Sequence, residues 1–130
     1  MKILAIRTDQ PESQLFLLND SGVIDQEIWL ADRTLAVSLN NKIKELLDRN
    51  NLKLKDLNGL IFYKGPGSFT GLRIGVSVIN TLAYALDIPI VGKMGQDWLN
   101  DGIKSLLDKI NEQTISPFYG SEVYITKAKK

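Results

Sequence analysis

An α/β fold with a mixed five-stranded sheet follows from three observations. Three short strand-like runs stand first, joined by tight turns. Two more strand-like runs, Gly59-Leu-Ile-Phe-Tyr63 and Ile90-Val91, alternate with stretches of helical period. The resulting order is β-β-β-α-β-α-β-α. Tight turns join only antiparallel neighbours, whereas strands separated by helices pair in parallel through crossovers. At 130 residues the chain can form one domain with a real core, since domains most often run about 100–150 residues.

Each element has its own signal. Lys2-Ile-Leu-Ala-Ile-Arg7 is a continuous apolar run, which predicts a strand buried on both faces. Asp9 to Ser13 reads as a turn with Pro11 as breaker. Gln14–Asn19 is the second strand, and Asn19-Asp-Ser-Gly22 is a hairpin turn. Val23–Leu30 is the third. Its alternation puts Val23, Asp25 and Glu27 on one face and Ile24, Gln26 and Ile28 on the other.

Asp32 or Thr34 can cap a first helix that runs to about Arg49. Leu35, Leu39, Ile43, Leu46 and Leu47 fall on one stripe of it. A second helix spans about Thr70 to Leu86 and breaks at Asp87-Ile-Pro89. Leu99, Ile103, Leu106, Leu107 and Ile110 mark a third, about Asp97 to Asn111. The tail after Ser116 has three aromatics, Phe118, Tyr119 and Tyr124, and no helical period. They are expected to cover sheet surface.

Composition narrows the chemistry. Without cysteine there are no disulfides and no thiolate nucleophile. Without histidine the commonest general base and metal ligand are missing, so a metal would depend on the 15 carboxylates. A net charge of +1 predicts no broad polyanion field. Lys127, Lys129 and Lys130 read as a solvated basic end. No apolar run reaches the roughly 20 residues of a membrane span, and Met1–Ile6 turns polar too soon for a secretory signal.

The most distinctive stretch is Gly65-Pro66-Gly67-Ser68-Phe69-Thr70-Gly71, after a strand and before a helix. Such a loop can hold an anion on backbone N–H groups. Its spacing fits neither G-x-x-x-x-G-K-[ST] nor G-x-G-x-x-G. The alternative is a tight turn with close helix packing. Gly71 and Gly75 lie on one side of the second helix, where they let another backbone approach. That helix is apolar or glycine over roughly 220°, and one packed face needs only about 100°. Neighbouring helices or another chain must cover the surplus.

Tyr63-Lys-Gly-Pro-Gly-Ser-Phe-Thr-Gly-Leu-Arg-Ile-Gly75 resembles the signature of the bacterial TsaB (YeaZ) family. Met1–Ile6, Glu45-Leu-Leu47, Leu54-Lys-Asp-Leu57 and Ile88-Pro-Ile-Val-Gly92 resemble the family in the same order. The resemblance implies an RNase-H-like lobe of the actin-like ATPase superfamily, residues 1–113, with 114–130 as a tail from the family's C-terminus. It implies a non-catalytic, cytoplasmic scaffold subunit for adding threonylcarbamoyl to an adenosine of tRNA. The partners it implies are a TsaD-type catalytic subunit, a TsaE-type ATPase or a second copy, with tRNA contacted only indirectly and no membrane. ATP and metal are expected on those partners, so no catalytic or metal residue and no cofactor is assigned here. The expected interface is Leu39 and Ile43 on the first helix and Leu72, Arg73, Gly75, Val76, Ile79 and Ala83 on the second. Which side of each helix faces the core stays open.

Three departures accompany the resemblance. Arg7 stands where the superfamily has an acidic residue, and a guanidinium cannot ligate Mg²⁺. Arg33-Thr-Leu-Ala36 holds no histidine where the family often has one. The family's second lobe is expected to be lost internally, because Pro117-Phe-Tyr119 resembles an element near the family's end. The rival reading is a nucleotide-binding enzyme that uses the Gly65–Gly71 loop for phosphate and Asp9 or Asp56 for a metal. A glycoprotease-like activity has no obvious ligands without histidine.

Overall fold

The computed structural model describes residues 1–120. Tyr124 and the basic residues Lys127, Lys129 and Lys130 lie outside them. The strands are β1 (Ile3–Arg7), β2 (Glu12–Asn19), β3 (Gly22–Leu30), β4 (Gly59–Tyr63) and β5 (Ile90–Lys93). The helices are α1 (Leu35–Asp48), α2 (Phe69–Leu86) and α3 (Trp98–Leu107), with 3₁₀ turns at Asp32–Thr34 and Leu54–Asp56. The sheet order is β3-β2-β1-β4-β5. β1–β2 and β2–β3 are antiparallel, and β1–β4 and β4–β5 are parallel. Both follow from connection length, as expected from the order of elements.

β1 sits in the middle and is buried on both faces, as its apolar run predicts. Leu4 and Ile6 point to a core shared with α1 and α2, together with Leu15, Leu17, Leu60 and Phe62. Ile3 and Ala5 point to a second core under α3, with Phe16, Leu18, Ile61 and Trp98. There the Trp98 ring meets Phe16 and Tyr63 edge-on, with centroids 5.8 and 5.5 Å away, a geometry the ring quadrupoles favour.

Element ends differ from the reading by a few residues. β2 begins at Glu12, because Ser13 and Gln14 already pair with β3 despite Pro11. β5 extends to Lys93 because Lys64 N–H continues the ladder onto Lys93 O at 2.9 Å. α3 ends at Leu107, short of Asn111. Lys109 takes a left-handed φ of 64° and Ile110 N–H bonds back to Ser105 O. That C-cap geometry closes a helix. The chain then crosses the β5 edge, where Ile90 N–H donates to Asn111 Oδ1 and Glu112 N–H to Ile90 O.

Candidate partner interface and signature loop

The signature loop leaves the end of β4 beside the β1–β2 turn. Thr8 is fully buried there, and its hydroxyl donates to Gly71 O at 2.8 Å. Ser68 N–H donates to Asp9 O at 2.7 Å, and the Ser68 hydroxyl caps α2 by accepting from Gly71 N–H at 3.3 Å. A Cβ on Gly67 would overlap Asp9, one on Gly71 the Thr8 carbonyl oxygen, and one on Gly75 the Thr8 hydroxyl. On the other side Phe118 N–H donates to Lys64 O, and its carbonyl occupies the space a Cβ on Gly65 would need. The inward side of the loop therefore holds the chain's own turn. Two of the N–H groups a phosphate cradle would use are already committed.

Asp9 is held as well. Its carboxylate accepts from Arg7 Nε at 2.8 Å and Nη2 at 3.2 Å. The guanidinium carbon lies 3.9 Å from the Tyr63 ring centroid, a cation–π contact. Asp56 follows the opposite end of the sheet and accepts from Lys53 N–H at 2.9 Å. It precedes β4, whereas Asp9 follows β1, and the two strands run parallel. A strand of this length separates them by roughly 16 Å, so the two carboxylates cannot share one ion.

α1 and α2 lie side by side on one face of the sheet, α1 over β2 and β3 and α2 over β1 and β4. Of the residues expected at an interface, Leu39, Ile43, Leu72, Ile79 and Ala83 are at most 5% exposed, and Gly75 is buried against Thr8. This corrects the expectation: their side chains build this chain's own core. Val76 is half-buried and packs on that core. Arg73 is exposed, its guanidinium carbon 5.1 Å from the Phe69 ring centroid. The aromatic tail is corrected too. Phe118 and Tyr119 do not cover the sheet. Tyr119 stacks on Phe69 with centroids 4.7 Å apart, while Ile115 is buried.

The surplus apolar arc of α2 is divided between its flanks. On one flank Asn80 ties down the tail: its side chain accepts from Ile115 N–H and donates to Ile115 O, at 2.9 and 3.0 Å. On the other, Ile74, Val78 and Leu82 stay half-exposed beside α1. Two open cavities follow that seam. One, about 370 Å³, is lined by Ala36, Thr70, Arg73, Ile74, Ser77 and Val78. The other, about 560 Å³, includes Ile43, Leu47, Leu54 and Leu82. Sequence reading sets Ile74, Val78 and Leu82 on the apolar arc of α2 but does not choose them for the interface. Gly71 and Gly75 were the available signal, since they mark the side of close approach and so set the helix phase.

By length and composition α2 is long and apolar enough to cross a membrane. Here its inner side is seated on the sheet through Leu72, Gly75 and Ile79.

Residues 24–93, more than half the chain, match the sequence model of the family described as TsaD, tRNA N6-adenosine threonylcarbamoyltransferase. The chain belongs to that family, on its TsaB (YeaZ) branch. The tRNA threonylcarbamoyladenosine biosynthesis protein TsaB of Bacillus subtilis (strain 168) is 39% identical over 90 residues, 69% of this chain and 39% of that protein. TsaB of Escherichia coli (strain K12) is 34% identical over 92 residues, 71% of this chain and 39% of that one. The solved structure of YeaZ from Pseudomonas aeruginosa superposes with a TM-score of 0.66 at 29% identity, over 72% of this chain and 43% of that chain. The fold is thus actin-like and RNase-H-like. This member of the family spans about two fifths of the length of the relatives it matches.

Proposed function

We propose that this TsaB-like lobe is a scaffold subunit in the biosynthesis of threonylcarbamoyladenosine in tRNA, docking a TsaD-type catalytic subunit on its α1–α2 face. The observation that carries this is the seam of two open grooves floored by half-exposed Ile74, Val78 and Leu82. An apolar seam rimmed by polar residues such as Thr70, Ser77 and Asn40 fits a helical partner better than solvent. The internal pairing of Asp9 with Arg7, and the filling of the loop by Thr8 and Asp9, support a non-catalytic role. A TsaE-type ATPase would join through the catalytic subunit, and tRNA would be met indirectly.

Co-expression with a TsaD-type protein from the same organism, followed by size exclusion, tests the reading. Co-elution is expected, and Val78→Glu or Leu82→Glu abolishes it while circular dichroism stays native. No co-elution, or co-elution that both variants preserve, rejects the face. A second copy of this chain on the same seam would instead appear as a homodimer in the absence of partner.

A further inference from the structure

We infer that Arg49 guards the free edge of the sheet and keeps β3 from pairing with β3 of a second copy of this chain. The two edges are treated differently. At β5 the chain covers its own edge through Asn111 and Glu112. At β3, the longest strand, no further strand follows. Ala31 N–H donates to Pro11 O at 3.0 Å, so Ala31 turns its backbone toward the β2 side. Backbone direction alternates along an antiparallel strand. Trp29 and Glu27 therefore face β2 in the same way, and Leu30, Ile28 and Gln26 present N–H and C=O outward. An outward row of this kind is a template for another chain.

The row is closed at one place. Gln26 N–H donates to Asp25 Oδ1 at 2.7 Å, and Gln26 O accepts from Arg49 Nη2 at 2.7 Å. The same guanidinium donates to both Asp25 and Glu27, and Asn50 Nδ2 donates to Asp25 Oδ2 at 2.9 Å. Arg49 follows the last turn of α1, where its N–H donates to Glu45 O at 3.1 Å. The end of the helix thus sets the guanidinium against the strand edge. Beyond Gln26 the edge is open. The outward groups of Ile28 and Leu30 have no partner among the described residues, and these residues are 44% and 75% exposed. β3 holds no proline or lysine, the residues that commonly blunt an edge.

The pattern of β3 is complementary to itself. A two-fold axis at Ile28 sets Ile28 against Ile28, Gln26 against Leu30 and Glu27 against Trp29 of the second copy. Outward residues then meet only outward residues, no two carboxylates stand opposite each other, and the exposed isoleucines cover one another. A closed two-fold contact needs self-complementarity of this kind. With Arg49 in place only the Ile28 pair can exchange its backbone bonds, because Gln26 has both groups taken at either end. One such pair does not offset the lost freedom of two chains. With Arg49 removed, the Gln26–Leu30 pairs on both sides of the axis can form as well.

The test is analytical ultracentrifugation of the full chain over a range of concentrations, with amide exchange read by NMR. In the unaltered chain Gln26 N–H is expected to exchange more slowly than the N–H groups of Ile28 and Leu30, and equal exchange overturns the guard. Arg49→Ala is expected to tighten self-association about tenfold or more, as the backbone bonds at Gln26 become available to a second copy. Asp25→Ala frees the Gln26 N–H and removes an anchor of the guanidinium. It is expected to act in the same direction, and it carries the test should the first variant not fold. Ile28→Pro added to either removes an outward N–H that β2 does not use, so it is expected to abolish the gain while circular dichroism stays native. Folded variants that associate no more than the unaltered chain, or a gain that Ile28→Pro preserves, overturn the proposal. A gain lost on adding Val78→Glu would belong to the α1–α2 seam and likewise overturns it, which keeps the outcome separable from that of the docking proposal.

Discussion

The inner side and the α1 flank of α2 carry similar residues and play different parts. Leu72, Ile79 and Ala83 are buried on β1 and β4, and Gly71 and Gly75 let Thr8 come within hydrogen-bonding distance. Ile74, Val78 and Leu82, as apolar as the inner set, border open grooves. Hydrophobicity does not separate the two sets. What separates them is whether a strand of the same chain lies across from them.

Substitutions on the two sides should therefore part company. Ile79→Ala removes a fully buried side chain and should cost about 2–5 kcal/mol of stability, read by urea unfolding. A cost near zero would mean the inner side is not sealed. Gly71→Ala comes next. Alanine favours a helix over glycine by up to about 1 kcal/mol, but its methyl would overlap the Thr8 carbonyl, a backbone atom that cannot swing aside. Overpacking of this kind costs about 1–3 kcal/mol, so a net loss is expected in thermal melts. Stabilisation by Gly71→Ala would refute the close-approach account.

Val78→Glu, one residue before Ile79, should leave stability within about 1 kcal/mol, because a half-exposed site can hydrate the carboxylate. Its effect should fall on partner binding, so a large loss of stability with binding retained would erase the contrast between flanks.

The smallest effect lies off α2, where Arg49 ties the end of α1 to β3. Its guanidinium donates to Asp25 at 2.8 and 3.1 Å and to Glu27 at 2.6 Å. Those bonds hold the Asp25 carboxyl well below the usual carboxylate range, with help from Asn50, and lower Glu27 as well. Both folded values are depressed. The contribution is therefore present above the ordinary carboxylate values, about pH 4, and is lost as pH falls through the folded ones. The group is partly exposed and screened, so Arg49→Gln should cost about 1 kcal/mol or less at neutral pH. Melting curves of the two proteins should converge on acidification, and a constant gap down to low pH would contradict this origin.

Much of the fold is legible in the sequence because its signals are local. The apolar run of Ile3–Ile6 predicts a strand buried on both faces, and the Leu35-Leu39-Ile43 stripe predicts the helix α1, though not that this stripe faces the core. Asp87-Ile-Pro89 predicts the end of α2, where Asp87 takes a left-handed φ of 54°. The end of α3 was not legible. Ile110 continues the helical period, yet the chain leaves the helix to bond the edge of β5, some 20 residues earlier in sequence. The candidate interface was misjudged for a related reason. The apolar arc of α2 was visible, but a periodic stripe has no marker for which part faces the sheet. The tail's part in covering the Asn80 flank depends on a pair 35 residues apart.

By itself the sequence determined the order of elements, the family signature and the excess of apolar surface on one helix. These are properties of neighbouring residues and of spacing along the chain. Only the tertiary structure decided that the glycines make room for Thr8, that Asp9 is paired to Arg7 in front of the loop, and that Ile74, Val78 and Leu82 stay partly uncovered. Each of these depends on which distant segment arrives opposite a side chain, and that is set by packing three helices against one twisted sheet.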